Sequence, residues 1–296
     1  VSVAGGGEKA DFRLSFTSTN QTGVVPGSDY NKYAFSVNAG MNFTNNFTGR
    51  ISAQYIRSDS EGRPAQGAND SNLLIPLING LPRTIDIHDI KQNWIDENGK
   101  QITLDPEGKS NNPYWIINRN MFNTDRDRYI MSLSMKWNIT NWLNIIGRAR
   151  VDNAYTDFER KLYASTDGLF SKSQGNYMTQ EDKNTATYLD FLVNIDKKFG
   201  ENYHLLVNLG GSYYDEKYKS STFEGNLLGV PNFFHPSNIP STESGYSKQS
   251  LHTQTQSLYG KAELGYRNFL YADVTSRIDW FSTLVGTSKE YVFYPS

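Results

Sequence analysis

Polar and apolar residues alternate one for one over long stretches of this chain, and that period limits what it can fold into. Phe12, Leu14 and Phe16 are separated by Arg13 and Ser15; Tyr33, Phe35, Val37, Ala39 and Met41 alternate with Lys32, Ser36, Asn38 and Asn42; Met131, Leu133, Met135 and Trp137 face away from Ser132, Ser134 and Lys136. The pattern returns over residues 51–55, 143–151, 189–195, 205–213, 258–266 and 270–278. Successive side chains of a strand point to opposite faces, so each stretch reads as a β-strand with one apolar and one polar face. No stretch of comparable length carries the i, i+3, i+4 spacing of an amphipathic helix. The fold class is all-β, with about ten strands.

The connections carry as much information as the strands. Short ones, around residues 44–46, 139–141, 200–202 and 267–268, alternate with long ones at roughly 19–29, 58–126, 156–183 and 215–250. In an up-and-down sheet, successive connections lie at opposite ends, so one end is trimmed and the other elaborated. Outer-membrane barrels have that asymmetry, with short periplasmic turns and long extracellular loops. Each short turn is also flanked by rings: Phe43 and Phe47, Trp137 and Trp142, Phe199 and Tyr203, Tyr266 and Phe269. Four such pairs line up as a belt at one membrane interface. Alternation over 9–12 residues matches the length of a tilted membrane strand, about 9–11 residues.

Composition agrees. Only 37% of the chain is apolar, yet 14% is aromatic, with 19 Tyr and 16 Phe. A disordered chain is poor in aromatics, whereas a sheet with one wet face is polar on average and rich in rings. The formal net charge of −2 provides no basic surface for nucleic acid, and the absence of cysteine excludes disulfides and thiolate metal sites. No run approaches the ~18–20 apolar residues of a membrane helix. The polar faces are crowded with Arg, Lys and Asp, and an open edge in lipid costs several kcal/mol per unpaired group. Together these suggest an arc of a larger, plugged barrel: about ten strands of 22. Residues 1–296 then form a fragment of a single barrel domain, with 58–126 as a long extracellular loop. Val1 enters β-like sequence without a leader, so the expected N-terminus lies upstream.

Nothing in the chain calls for catalysis, a cofactor or a metal. His88, His204, His235 and His252 stand apart, without HxH or HExxH spacing. Asp96-Glu97-Asn98-Gly99 lacks the ligand series of a calcium loop and reads as a polar turn. The run Gly5-Gly6-Gly7 is followed by neither a helix nor Lys-Ser/Thr, and no Gly-x-Ser-x-Gly elbow occurs. Carboxylates such as Asp190, Asp196 and Glu263 read as members of a charge ladder on the wet face. The 58–126 loop is longer than a turn requires, and such loops carry function. Within it Arg83, Tyr114, Trp115 and Arg119 are the candidate substrate or partner contacts, because rings stack on sugars or peptides and arginine bonds carboxylates.

Several words along the chain resemble the SusC/RagA family of TonB-dependent outer-membrane transporters of Bacteroidetes. Val1-Ser2-Val3-Ala4-Gly5-Gly6-Gly7-Glu8-Lys9 with Phe12-Arg13-Leu14-Ser15-Phe16 resembles the early barrel strand after the plug, and residues 23–30 resemble the loop that follows. Leu81-Pro82-Arg83-Thr84-Ile85-Asp86, Asn112-Pro113-Tyr114-Trp115, Arg126-Asp127-Arg128, Asp279-Trp280-Phe281-Ser282 and Tyr294-Pro295-Ser296 continue in the expected order. The resemblance covers nearly the whole chain, but the plug, the TonB box and the later strands have no counterpart. It implies a bacterial outer-membrane location and uptake of a glycan or peptide ligand. The implied partners are a SusD-like lipoprotein lid, outer-membrane lipid, and TonB through a missing N-terminal region. Two rivals stay open from the residues alone: a passive porin-type barrel, and a soluble surface adhesin or glycan-binding β-sandwich.

Overall fold

The computed structural model of the protein describes residues 1–65, 72, 81, 84–104, 111–166, 171–267 and 269–296. Eleven strands form one sheet: β1 (Ser2–Gly6), β2 (Ala10–Thr22), β3 (Asp29–Thr44), β4 (Phe47–Glu61), β5 (Asn120–Asn138), β6 (Leu143–Tyr163), β7 (Gly175–Phe199), β8 (Tyr203–Asn226), β9 (Ser244–Tyr266), β10 (Leu270–Phe281) and β11 (Tyr291–Pro295). Their order in space is their order in sequence, and every neighbouring pair is antiparallel. Among the described residues there is one layer, with no second sheet stacked on it, so the sandwich alternative does not hold.

The register turns the alternation of each strand into continuous faces. One row across the sheet runs Phe12–Ala39–Ile51–Leu133–Ala149–Leu189–Tyr213. The next row runs Asp11–Gly40–Arg50–Ser134–Arg148–Asp190–Ser212–Ser257–Asp279. The first is apolar and open to its surroundings: Phe12, Ile51, Leu133 and Leu189 are all exposed. A face of that size has no counterpart on a soluble monomer, whereas the wall of a membrane barrel requires it.

The turn asymmetry holds. Connections at 45–46, 139–142, 200–202 and 267–269 are tight, while 62–119, 164–174, 227–243 and 282–290 at the opposite end are longer. At the tight end the rings of Phe43 and Phe47 stack 5.3 Å apart, those of Tyr203 and Tyr266 lie 5.2 Å apart, and Lys197 Nζ sits 4.4 Å over Trp142. Phe43, Trp137, Phe199, Tyr203 and Phe269 are exposed, as an interfacial belt requires.

The long connections, by contrast, are largely strand. Residues 156–163 pair with 175–182, and 215–225 with 244–254, so these hairpins reach well past the apolar band. The loop expected over 58–126 likewise loses 58–61 to β4 and 120–126 to β5. Beyond the band both faces are wet, and period-2 patterning disappears even though the ladder continues. Asp157-Phe158-Glu159-Arg160-Lys161 shows no apolar face and is paired residue by residue with β7. Among the described residues of the β4–β5 connection, two short helices form, α1 (Ile87–Gln92) and α2 (Pro113–Arg119).

Candidate functional site

The polar face is a wall of ion pairs, some between neighbouring strands and some along one strand. Arg148 on β6 lies directly opposite Asp190 on β7, and its Nε donates at 2.8 Å to Asp190 Oδ1 while Nη2 donates to Oδ2. Asp190 is only 7% exposed, so its charge needs this fork as compensation. Arg128 grips Asp152 in the same bidentate way, at 2.8 and 2.7 Å, and Arg150 adds a third donor at 3.1 Å. Farther along the sheet Arg277 Nε donates to Asp279 at 2.7 Å and its Nη2 to Ser257 Oγ at 3.0 Å. Asp196 pairs with His204, and Glu263 with Lys261 at 3.1 Å, so the three carboxylates singled out in the sequence are ladder members. The other histidines are spent separately: His88 on Asp86, His235 on Ser237, His252 on Asp215. Asp96 accepts the N–H groups of Asn98 and Lys100 at 2.9 and 2.7 Å and closes its own turn.

Above this wall the β4–β5 connection is pinned to the β6–β7 hairpin. Asn112 caps α2 by accepting the Tyr114 N–H at 2.9 Å, and Pro113 occupies the first helical turn, where its missing N–H costs nothing. Trp115 is 1% exposed; its indole N–H donates at 2.8 Å to Thr166 Oγ1, whose hydroxyl donates on to Asn120 at 3.0 Å. Gln101 joins Asn111 and Ser165 at 2.7 and 2.5 Å. Arg119 stacks over Tyr163, 4.8 Å from the ring centroid, with Trp94 at 6.0 Å.

The candidate contacts therefore separate. Trp115 is an internal anchor; Tyr114 and Arg119 are half-buried beside it; Arg83 lies outside the described residues. Sequence reasoning missed the partners of these residues, because Thr166 and Tyr163 lie 51 and 44 positions away and no local pattern joins them.

A second cluster closes the same end of the sheet. Tyr177, Leu227 and Ile239 are buried together against Phe223 and Phe234. Burial, and the bond from its phenol to Glu159 at 2.9 Å, push the Tyr177 pKa up to about 12. Glu243 accepts from Lys172 Nζ at 2.7 Å and from Asn226, which hold its carboxyl below the ordinary range.

No family model matches the chain. A TonB-dependent receptor P26 of Formosa agariphila is 24% identical over the whole chain, which spans 29% of that relative's length. Among solved structures, the RagAB peptide importer in its open-open state matches with a TM-score of 0.75 at 13% identity, covering 99% of this chain and 32% of that one. The unliganded ferric citrate transporter FecA matches with a TM-score of 0.56 at 10% identity, over all of this chain and 37% of that one. The fold is thus that of part of the TonB-dependent receptors' β-barrel, with RagAB the better fit of the two, and the resemblance to the SusC/RagA type read from the sequence is borne out.

Proposed function

We propose that this chain forms part of the wall of a TonB-dependent transporter in the bacterial outer membrane, closing with further strands into a plugged barrel of about 22. The observation that carries this reading is the pairing of an exposed apolar face with a hydrated face of fixed ion pairs across eleven sequential strands. The apolar face meets lipid. The charged face lines the import path, where Arg148–Asp190 and Arg128–Asp152 hold their charges rigidly and leave Ser, Asn and Tyr side chains free to exchange hydrogen bonds with a passing solute.

Oligosaccharides and peptides both fit a hydrated wall of this kind. The likeness to a peptide importer favours peptides, whose amides and termini match alternating arginine and carboxylate. The pinned β4–β5 connection is the docking platform for a SusD-like surface lipoprotein, with Arg83, Tyr114 and Arg119 as contacts and with Trp115 anchoring α2. No step of this function is catalytic.

The test is uptake of labelled oligopeptides and oligosaccharides by cells carrying the full gene, with and without TonB. Loss of uptake on removing TonB is expected. Uptake that continues unchanged without TonB would establish the passive porin reading instead.

A further inference from the structure

The register gathers charge of one sign on each half of the hydrated face. Over β2–β6 that charge is positive. Lys32, Ser58 and Arg126 lie in one row across β3, β4 and β5, so two cations flank a serine about 10 Å apart, at ~4.8 Å per strand. Six residues farther along β5 a second row begins at Arg13 and ends at Arg150, with Asn38, Ser52 and Ser132 between them. In the row after that, Arg50 and Arg148 flank Ser134, and Lys136 stands two residues farther along β5. These rows descend from the elaborated end to the trimmed end, with short hydroxyl side chains as the floor between the cations. Asp11 and Asp152 are the carboxylates that the five strands add to this face.

Over β7–β10 the balance is reversed. The row of Lys32 and Arg126 continues through Thr156 to Asp182, and Asp196, Glu216, Glu224 and Asp273 share that face. The pairs described above neutralise Arg148, Arg128 and Arg150. Arg50 reaches Asp11 only at 3.4 Å, with both side chains more than half exposed. Arg13, Lys32, Arg126 and Lys136 have no ion-pair partner among the described residues. The excess on β2–β6 is therefore uncompensated from within this sheet, and a wall of one sign concentrates solutes of the other.

We infer that the β2–β6 half of the wall is a binding track for an oligomer that carries several carboxylates, an acidic peptide or a uronate oligosaccharide. Lys32 and Arg126 meet it near the elaborated end, and Arg13 receives it lower down. Guanidinium groups match carboxylates in geometry as well as charge, and the serines and Asn38 between them exchange hydrogen bonds with amides or sugar hydroxyls. The acidic half repels the same solute and keeps it on the basic side. The inference names the substrate class of the import path proposed above and rests on that reading.

Cells carrying the full gene are offered hexaglutamate, hexalysine and a Gly-Ser hexapeptide, and trigalacturonate beside maltotriose, all with one uncharged label. Initial rates of TonB-dependent uptake are compared, and binding of the unlabelled oligomers to the purified full-length protein in detergent is followed by calorimetry. Carboxylated oligomers are expected to enter about tenfold faster than neutral ones, and hexalysine more slowly than either. The preference should fade as salt is raised. The variant R13Q/K32Q/R126Q is expected to lose most of it, and R13E/K32E/R126E to reverse it. These three side chains hold no ion pair, so the ladder survives their replacement, and a heat-shifted gel band reports folding of each variant. Lys219→Glu, exposed on the opposite face, is the charge control. A preference for hexaglutamate or for trigalacturonate identifies which source of carboxylate the track serves. Equal handling of acidic, neutral and basic oligomers by wild type would overturn the inference, as would an acid preference that survives charge reversal. If cells import nothing through TonB while the purified protein binds a carboxylated oligomer and the reversed variant does not, the transport reading falls and the track stands.

Discussion

At the scale of single residues, the elaborated end of the sheet is held by buried polar groups that each found a distant partner. Tyr177 is the clearest case. Its phenol is 8% exposed and donates to Glu159, and both effects favour the neutral form. Because its folded pKa, about 12, lies above the ordinary value of 10.0, its contribution is complete below about pH 10 and is lost as the pH rises towards 12. The unfolded chain releases this proton first, so stability falls across that window. Ultraviolet titration of tyrosinate should show a component ionising near 12 that Tyr177→Phe removes, and the variant should lose less stability than wild type over the same range. A titration unchanged by the substitution would mean that the ring is not enclosed by Leu227 and Ile239 in solution.

At the scale of elements, strand facing is the decisive property. Val193 and Asn194 are adjacent on β7 yet belong to opposite faces: Val193 continues the apolar row of Ile145 and Leu209, while Asn194 donates at 2.8 Å to Asn144 on the hydrated side. An arginine at position 193 must enter hydrocarbon near the midplane, at about 2–4 kcal/mol, whereas at position 194 it meets water. Refolding into lipid vesicles under denaturant should therefore be impaired for Val193→Arg and nearly unchanged for Asn194→Arg. Equal cost at the two sites would place neither face in lipid, and a larger cost at 194 would reverse the two faces. The same element shows where sequence reading stops. β7 runs from Gly175 to Phe199, but its alternation is legible only over 189–195, because only there does one face meet lipid. Beyond that, cross-strand pairs such as Lys183 with Lys219 continue the ladder without any periodic signature.

At the scale of the whole molecule, a single sheet with one greasy side has no dry interior of its own. Among the described residues its buried apolar side chains are few, and the cluster they form, Tyr177 with Leu227 and Ile239, lies at the elaborated end. Hydrophobic stabilisation must come from the bilayer, so removing detergent from the purified full chain should precipitate it or cost it its heat-shifted gel band. A soluble monomer that unfolds cooperatively in plain buffer would remove the basis for an outer-membrane protein. The likeness to RagAB covers 32% of that chain, which agrees with the proposal that further strands complete the sheet.

The sequence alone determined the strand class, the two faces, the alternation of trimmed and elaborated ends, and the belt of rings at the trimmed end. All of these are local: a period of two, a short turn, a pair of aromatics beside it. Even the pairing of neighbouring hairpins follows from them, because an up-and-down chain has little choice of partner. What only the tertiary structure decided is non-local. The lengths of the hairpins beyond the membrane, the enclosure of Trp115 by Thr166, the opposition of Arg148 to Asp190 and the gathering of cations over β2–β6 all depend on register between strands dozens of residues apart. Register is set by the sum of many backbone bonds and side-chain contacts, so no single stretch of sequence announces it.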